Sequence, residues 1–168
     1  MNKLLSILEG LIEQYKSLIR DKNAPTQAGN VLYKTALSFI GKDASPLDSA
    51  PDPLACAESV NEIVKAAFGE PAGGNNSTYW LYIALKNHRK FVEVTTPLPG
   101  DIIISPTGIG GGKNGVSNGH AGIMLENNQI ASNDSRDGVF RQNYALFEWK
   151  YRYQTIGGYK VYFFRRVI

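Results

Sequence analysis

The chain has 168 residues, of which 43% are apolar and 20% are charged, and its formal net charge is +3. This length and composition are typical of one globular domain with its own core, and they exclude a disordered chain. A single cysteine excludes an internal disulfide framework and a cysteine-rich zinc site, and the mild positive charge suits an anionic polymer without identifying it.

The first predicted element is an amphipathic helix over residues 1–22. Its apolar stripe consists of Leu4, Leu5, Leu8, Leu11, Ile12, Tyr15, Leu18 and Ile19. Charged residues interrupt the stripe, so the segment is neither a secretory signal nor a membrane span. We expect this helix to pack on its own domain, although the heptad spacing within residues 4–19 also permits a weak contact with a membrane surface or a partner helix.

A second helix is predicted between Ala24–Pro25 and Gly41, where the glycine is a natural stop. The segment 42–53 is rich in Pro, Asp and Ser and leads directly into the third helix. Loops of this kind either shape a substrate cleft or serve as plain connectors held by Asx turns. Both interpretations of this loop stay open.

The third predicted helix carries the single cysteine of the chain in its first turn. Asp52 is a favourable N-cap and Pro53 a favourable first helical residue, and helical spacing continues to Phe68. Cys56 lies one turn ahead of Val60 on the same face. The free N–H groups and the positive dipole end at a helix start favour a thiolate there. A lone cysteine is, however, more often a small buried apolar residue.

A fourth helix is predicted from Asn76 or Ser77, either of which can cap it, to about His88. His88 then lies near the helix C-terminus, where a charged imidazole is favourable on dipole grounds alone. We interpret His88 as a structural or solvated residue.

The apolar pattern changes to period two after this helix, which predicts strands. The predicted strands cover residues 91–94, 101–105, 120–125, 130–133 and 159–166, and the aromatic segment 143–153 is predicted to be helical. Helices followed by an antiparallel sheet define an α+β fold.

The glycine-rich segment 107–119 invites comparison with a phosphate-binding P-loop. Thr107 stands where the first glycine of that motif is required, and Asn114 follows Lys113 where Ser or Thr should bind magnesium. We therefore interpret the segment as a mobile lip of the site.

His120 opens the strand after this loop and is the natural partner for the cysteine. If residues 127–128 form a two-residue turn, Gly122 pairs with Asn133, and Asn133 then lies on the same face as His120. A register slip of one residue would replace Asn133 by Ser132 or Asp134.

A cysteine at a helix start, followed along the chain by His and then Asn, is typical of cysteine hydrolases or acyltransferases. Cys56 would attack an acyl carbon, and its own backbone N–H is the obvious donor to the oxyanion. His120 would stabilise the thiolate and later protonate the leaving amine, while Asn133 would hold the imidazole tautomer. These residues alone identify no substrate.

Several segments of the chain resemble the NlpC/P60 and CHAP group of cysteine peptidases and amidases, and more narrowly the bacteriophage lysis enzymes, or endolysins, of that group. They are Cys56-Ala-Glu-Ser-Val, Pro99-Gly-Asp-Ile-Ile-Ile-Ser105, Gly119-His-Ala-Gly-Ile-Met and Ser132-Asn-Asp-Ser135. The resemblance covers about residues 30–166. It implies a papain-like α+β core in one catalytic domain, residues 23–168, with helices packed on a central antiparallel sheet of about five to six strands.

The resemblance further implies cleavage of an amide bond in bacterial peptidoglycan, either as an N-acetylmuramoyl-L-alanine amidase or as an endopeptidase. It matches Cys56 to the nucleophile, His120 to the general base and Asn133 to the orienting residue. The expected substrate-binding residues are Asp52, Ser77, Asn118, Gly119 and Trp149.

We expect no cofactor, metal or nucleic acid partner, and a monomer. The protein would be made in the cytoplasm without a signal peptide and would reach the wall through a holin-type or other export route. An interbacterial toxin of the same fold and a non-catalytic wall-binding or protein-binding relative are the alternatives.

Overall fold

The computed structural model describes residues 7–11, 25–45, 55–74 and 76–168. Three helices precede most of the strands in these ranges, which confirms the α+β class. The helices are α1 (Gln27–Phe39), α2 (Cys56–Phe68), α3 (Thr78–Asn87) and the short α4 (Leu146–Trp149), which continues into a π-helical turn, Lys150–Ile156. The strands are β1 (Lys42–Asp43), β2 (Phe91–Val94), β3 (Ile102–Ser105), β4 (His120–Met124), β5 (Gln129–Asn133), β6 (Val139–Ala145) and β7 (Tyr162–Arg166).

Residues 7–11 are helical, and the side chains of Ile7, Leu8 and Leu11 are each more than half exposed. The rest of the predicted N-terminal helix lies outside the described residues. No helix within the described ranges has the length and apolar character needed to cross a membrane.

Helices α1 and α3 each begin at a hydroxyl cap, and the sequence predicts the one at α3. The Thr26 hydroxyl accepts the N–H of Gly29 at 2.8 Å at the start of α1. The Ser77 hydroxyl accepts the N–H of Tyr79 at 3.2 Å at the start of α3, so Ser77 is the N-cap of that helix. Each cap supplies a partner for a helix-start N–H that the helix itself leaves unpaired.

Helix α2 begins later than predicted. Ala55 occupies its N-cap position without a side-chain hydrogen bond, and Asp52, the predicted cap, lies outside the described residues. The helix ends as predicted at Gly69, whose φ of 80° is left-handed and favours glycine. The later start makes Cys56 the first helical residue, so its N–H has no acceptor within the helix.

The sheet has seven strands in the order β1-β6-β5-β4-β3-β7-β2, and every neighbouring pair is antiparallel. Two of these strands are absent from the sequence prediction. β1 contains only Lys42 and Asp43, and β6 includes residues 143–145, which were predicted to be helical. β6 lies near a sheet edge and its Arg141-Gln142-Asn143 run breaks the apolar alternation, so its periodic signal is weak.

Each face of the sheet carries its own apolar core. The helical face is filled by residues of α1, α2 and α3 and of the strands, including Leu32, Val60, Ile63, Leu81, Leu85, Ile102, Ile104, Ile123 and Phe164. The opposite face, which we call the aromatic face, is covered by α4 and the π-helical turn and includes Ile103, Met124, Ile130, Trp149, Tyr153, Tyr159 and Phe163. Strand alternation places His120 with the aromatic face and Ala121 with the helical face.

The turn between β4 and β5 differs from the prediction by one residue. Glu126–Asn128 form a three-residue connection, closed by the Leu125 N–H donating to the Gln129 carbonyl at 2.7 Å. Gly122 therefore pairs with Ser132. The predicted register, which paired Gly122 with Asn133, is wrong, because each added turn residue moves the strand by one position and exchanges its faces.

Candidate active site

Cys56 and His120 line one cleft with a volume of about 580 Å³. Its walls come from the start of α2, the residues around the start of α3, the loop 115–119, the ends of β4 and β5, and the π-helical turn. The structure thus brings together the cysteine and the histidine that the sequence predicts as partners.

The sulfur of Cys56 lies against the start of β4. It accepts hydrogen bonds from the backbone N–H groups of Ala121, Ala57 and Cys56 itself, all of which lower its pKa. Burial has the larger, opposite effect and raises the pKa of the thiol to about 11, with 5% of the residue exposed. In the free protein, loss of hydration therefore outweighs the N–H groups that favour a thiolate at the helix start.

The imidazole of His120 is held on three sides. Its Nε2 lies 2.9 Å from the Ser132 hydroxyl, and its ring stacks on Trp149 and Tyr153 with centroid distances of 5.1 and 5.7 Å. Burial, followed by the positive charge of Arg152, lowers the pKa of His120 to about 4. Both reactive side chains are consequently neutral at pH 7.

A short hydrogen-bond chain determines which nitrogen of His120 carries the proton. The Ser132 hydroxyl donates to Asn143 Oδ1 at 2.7 Å, and Asn143 Nδ2 faces the Ser132 carbonyl at 3.5 Å. Because the hydroxyl proton is used for Asn143, Ser132 must accept from His120 Nε2–H. This leaves Nδ1 as the unprotonated, basic nitrogen of the ring.

Gly119 sets the approach of His120 to the neighbouring strand. A Cβ atom at this position would lie 2.0 Å from the Ser105 carbonyl oxygen and 2.6 Å from the Thr107 nitrogen. Any side chain would therefore push the start of β4 away from β3. Gly119 also lines the cleft, as do Ser77 and Asn118. These three predicted substrate-binding residues are at the site.

The predicted substrate contact of Trp149 is wrong. Trp149 is fully buried behind the imidazole and donates its indole N–H to the Ser105 hydroxyl at 3.0 Å. It supports the ring of His120 instead of facing a ligand. The remaining predicted binding residue, Asp52, lies outside the described residues.

Asn133 lines the cleft but belongs to the helical face of the sheet, where Ser59 donates to its Oδ1 at 3.4 Å. Of the three candidates for the orienting role, Ser132 is the one whose hydroxyl meets the ring. Asp134 is engaged in ion pairs with Arg136 at 2.6 Å and Arg141 at 3.3 Å, which hold the pKa of its carboxyl at about 2.

Sequence reasoning missed Asn143, Tyr144, Arg152 and Tyr153, all of which line the cleft. They come from β6 and the π-helical turn, the region predicted as one helix. The only signal in the sequence is the density of aromatic residues there, which indicates burial but not which site the residues face.

His88 lies outside the cleft lining and has a structural environment. Its Nδ1 accepts the Lys90 N–H at 3.1 Å, and its ring meets Phe91 edge-on at 5.2 Å. Among the described residues, no group of three or more His, Cys, Asp or Glu side chains has the arrangement of a metal site.

No protein-family model matches the chain, and a search of curated proteins finds no similar sequence. Among solved structures, the chain is similar to one from the type VI native effector–immunity complex Tae3–Tai3 of Ralstonia pickettii. The identity is 21%, the match covers 82% of this chain and 98% of that chain, and the TM-score is 0.49.

Proposed function

We propose that the protein is a cysteine hydrolase that cleaves an amide bond of bacterial peptidoglycan, with Cys56 as nucleophile and His120 as general base. The observation that carries the proposal is the contact between the Cys56 sulfur and the N–H of Ala121, the residue that follows His120. This contact brings the thiol against the first residues of β4, at the cleft that the imidazole also lines. A lone buried cysteine with no catalytic role requires no such partner.

The neutral pair acts by general-base catalysis. His120 Nδ1 removes the thiol proton as Sγ bonds to the carbonyl carbon, and the negative charge moves to the carbonyl oxygen. We expect the N–H of Cys56, which has no acceptor within α2, to stabilise that oxygen. The imidazolium then gives its proton to the leaving nitrogen as the C–N bond breaks. Water attacks the resulting thioester with the same base and releases the acid and the free thiol.

Peptidoglycan is proposed as the substrate on two grounds. The first is the resemblance of the motifs around Cys56, Pro99 and His120 to peptidoglycan-cleaving cysteine enzymes, which implies a papain-like core. The second is the cleft itself, whose lining is rich in hydroxyl, amide and guanidinium groups suited to a polar peptide.

Purified cell walls provide the test. Wild-type protein should lower the turbidity of a wall suspension and release soluble fragments, and Cys56→Ala should release none while keeping its circular dichroism spectrum and melting temperature. His120→Ala should lose activity with it, whereas the matched variant His88→Ala should retain it. Undiminished release by folded Cys56→Ala would refute the proposal.

Mass spectrometry of the fragments then separates the two activities. Free lactyl groups together with new amino-terminal alanine identify an N-acetylmuramoyl-L-alanine amidase. New amino termini inside the peptide, with the lactyl amide intact, identify an endopeptidase.

A further inference from the structure

We propose that Arg152 binds a carboxylate of the substrate, so that the cleft selects peptides with an acidic residue beside the amide that is cut. This inference rests on the proposed hydrolase function and adds the chemistry of the substrate. Arg152 lines the cleft together with Cys56 and His120.

The charges around the cleft single out this arginine. Arg136 also lines the cleft, but Asp134 neutralises it at 2.6 Å. Arg141 of β6 is neutralised by Asp134 at 3.3 Å and Asp137 at 2.8 Å. In the described part of the chain, no carboxylate lies within ion-pairing distance of Arg152. The cleft therefore offers one uncompensated positive charge to a ligand.

The guanidinium of Arg152 is also held in place before a ligand arrives. Its Cζ lies 5.7 Å from the centroid of the Tyr153 ring, within the range of a cation–π contact. The Tyr153 ring in turn stacks on His120. The guanidinium also makes a side-chain hydrogen bond to Tyr153. Its remaining N–H groups can bind a carboxylate.

The positive charge of Arg152 acts on the imidazole of His120, the proposed general base. This charge is the largest charge effect on the imidazole of His120, ahead of the opposite effect of Asp134. A carboxylate bound there lies next to the base and cancels a charge that disfavours the imidazolium. The bound substrate would thus make His120 a stronger base at the step that needs it.

Two synthetic N-acetylmuramoyl stem peptides test the inference. One carries the free α-carboxylate of its D-glutamyl residue, and the other carries a carboxamide at that carbon. We expect wild type to cleave the carboxylate peptide with a kcat/KM roughly 10- to 100-fold higher, since a charge-assisted bidentate bond is lost with the carboxamide. Arg152→Gln should cleave both peptides equally, and the matched variant Arg136→Gln should keep the preference.

Binding to Cys56→Ala, measured by calorimetry, separates failure of this inference from failure of the proposed function. The inference is supported if Cys56→Ala binds the carboxylate peptide more tightly than the carboxamide peptide and the double variant Cys56→Ala/Arg152→Gln loses this binding. This result would support a carboxylate-binding role of Arg152 even if wild type cleaves neither peptide. Cleavage with equal efficiency for both peptides in wild type, or a preference that survives Arg152→Gln, overturns the subsite while the hydrolase stands. Absence of both binding and cleavage overturns both.

Discussion

Replacing Ser132 by alanine should damage catalysis without disturbing the nucleophile. The Ser132 hydroxyl accepts from His120 Nε2 at 2.9 Å and donates to Asn143 Oδ1 at 2.7 Å, and the residue is fully buried. Its removal leaves Nε2–H without an acceptor, so the ring loses the bond that keeps the proton on Nε2 and the lone pair on Nδ1. A fraction of the molecules then hold the inactive tautomer.

The magnitude follows from the bond that is lost. A buried hydrogen-bonding group left without a partner costs about 1–3 kcal/mol. Because the unpaired Nε2–H raises the free energy of the active tautomer by that amount, the rate should fall by up to about 100-fold. Asn143→Ala should have a smaller effect, because Asn143 is partly exposed and water can take the place of its amide oxygen.

Two measurements check this prediction together. Release of wall fragments gives the rate, and nitrogen-15 NMR of the side chains gives the tautomer directly, with only His88 and His120 contributing imidazole signals. Asn133→Ala is the matched control: it should lower stability through Ser59 but leave the His120 tautomer unchanged. An unaltered tautomer and rate in Ser132→Ala, with loss of the active tautomer in Asn133→Ala, would refute the assignment of Ser132.

Two further predictions concern pH and the support of the ring. Because the pKa of His120 is lowered to about 4, the acid limb of kcat/KM should lie near pH 4 instead of near 6.5. In the unfolded chain the imidazole of His120 takes up a proton below about pH 6.5, whereas in the folded protein it does so only near pH 4. The free energy of unfolding should therefore fall by ~3 kcal/mol as the pH drops to 4. Denaturant titrations that show no such fall, or an acid limb near pH 6.5, would contradict a buried neutral imidazole. Trp149→Ala should destabilise the fold by about 3–5 kcal/mol because it empties a fully buried site. Trp149→Phe should destabilise the fold less and leave KM unchanged. A raised KM in a stable Trp149→Phe protein would show instead that Trp149 contacts the substrate.

The sequence predicts the reactive pair because local rules govern both residues. Helix spacing and the Gly69 stop place Cys56 in a first turn, and strand alternation after the glycine-rich loop places His120 at the mouth of β4. The identity of the residue that orients His120 depends on the length of the turn between β4 and β5. A loop of three residues instead of two exchanges Asn133 for Ser132, and no local preference of Asn-rich turns decides between those lengths.

One of the motifs that carry the resemblance, Pro99-Gly-Asp101, has a structural role in this protein. Asp101 is 1% exposed, binds Arg165 at 2.7 Å and accepts the Leu98 N–H at 2.7 Å. A Cβ at Gly100 would lie 1.9 Å from the Gly29 carbonyl, so this turn requires glycine to contact α1. The motif therefore explains how the start of β3 contacts α1 and β7. It gives no information about Arg152 or Asn143, whose approach to the cleft depends on long-range packing of β6 and the π-helical turn.

In the proposed mechanism, charge separation between Cys56 and His120 is needed only once the substrate is bound, because both groups are neutral in the free protein. Burial raises the pKa of the Cys56 thiol to about 11 and lowers that of His120 to about 4, and both shifts disfavour a thiolate–imidazolium pair in the free protein. The proton must move while sulfur bonds to carbon, because the new negative charge then resides on an oxygen that helix-start N–H groups can stabilise. A carboxylate on Arg152 would reduce the cost of the imidazolium in the same step. The buried thiol also remains a poor target for oxidants, which react with thiolate, so a site of this kind couples activation of its nucleophile to the arrival of substrate.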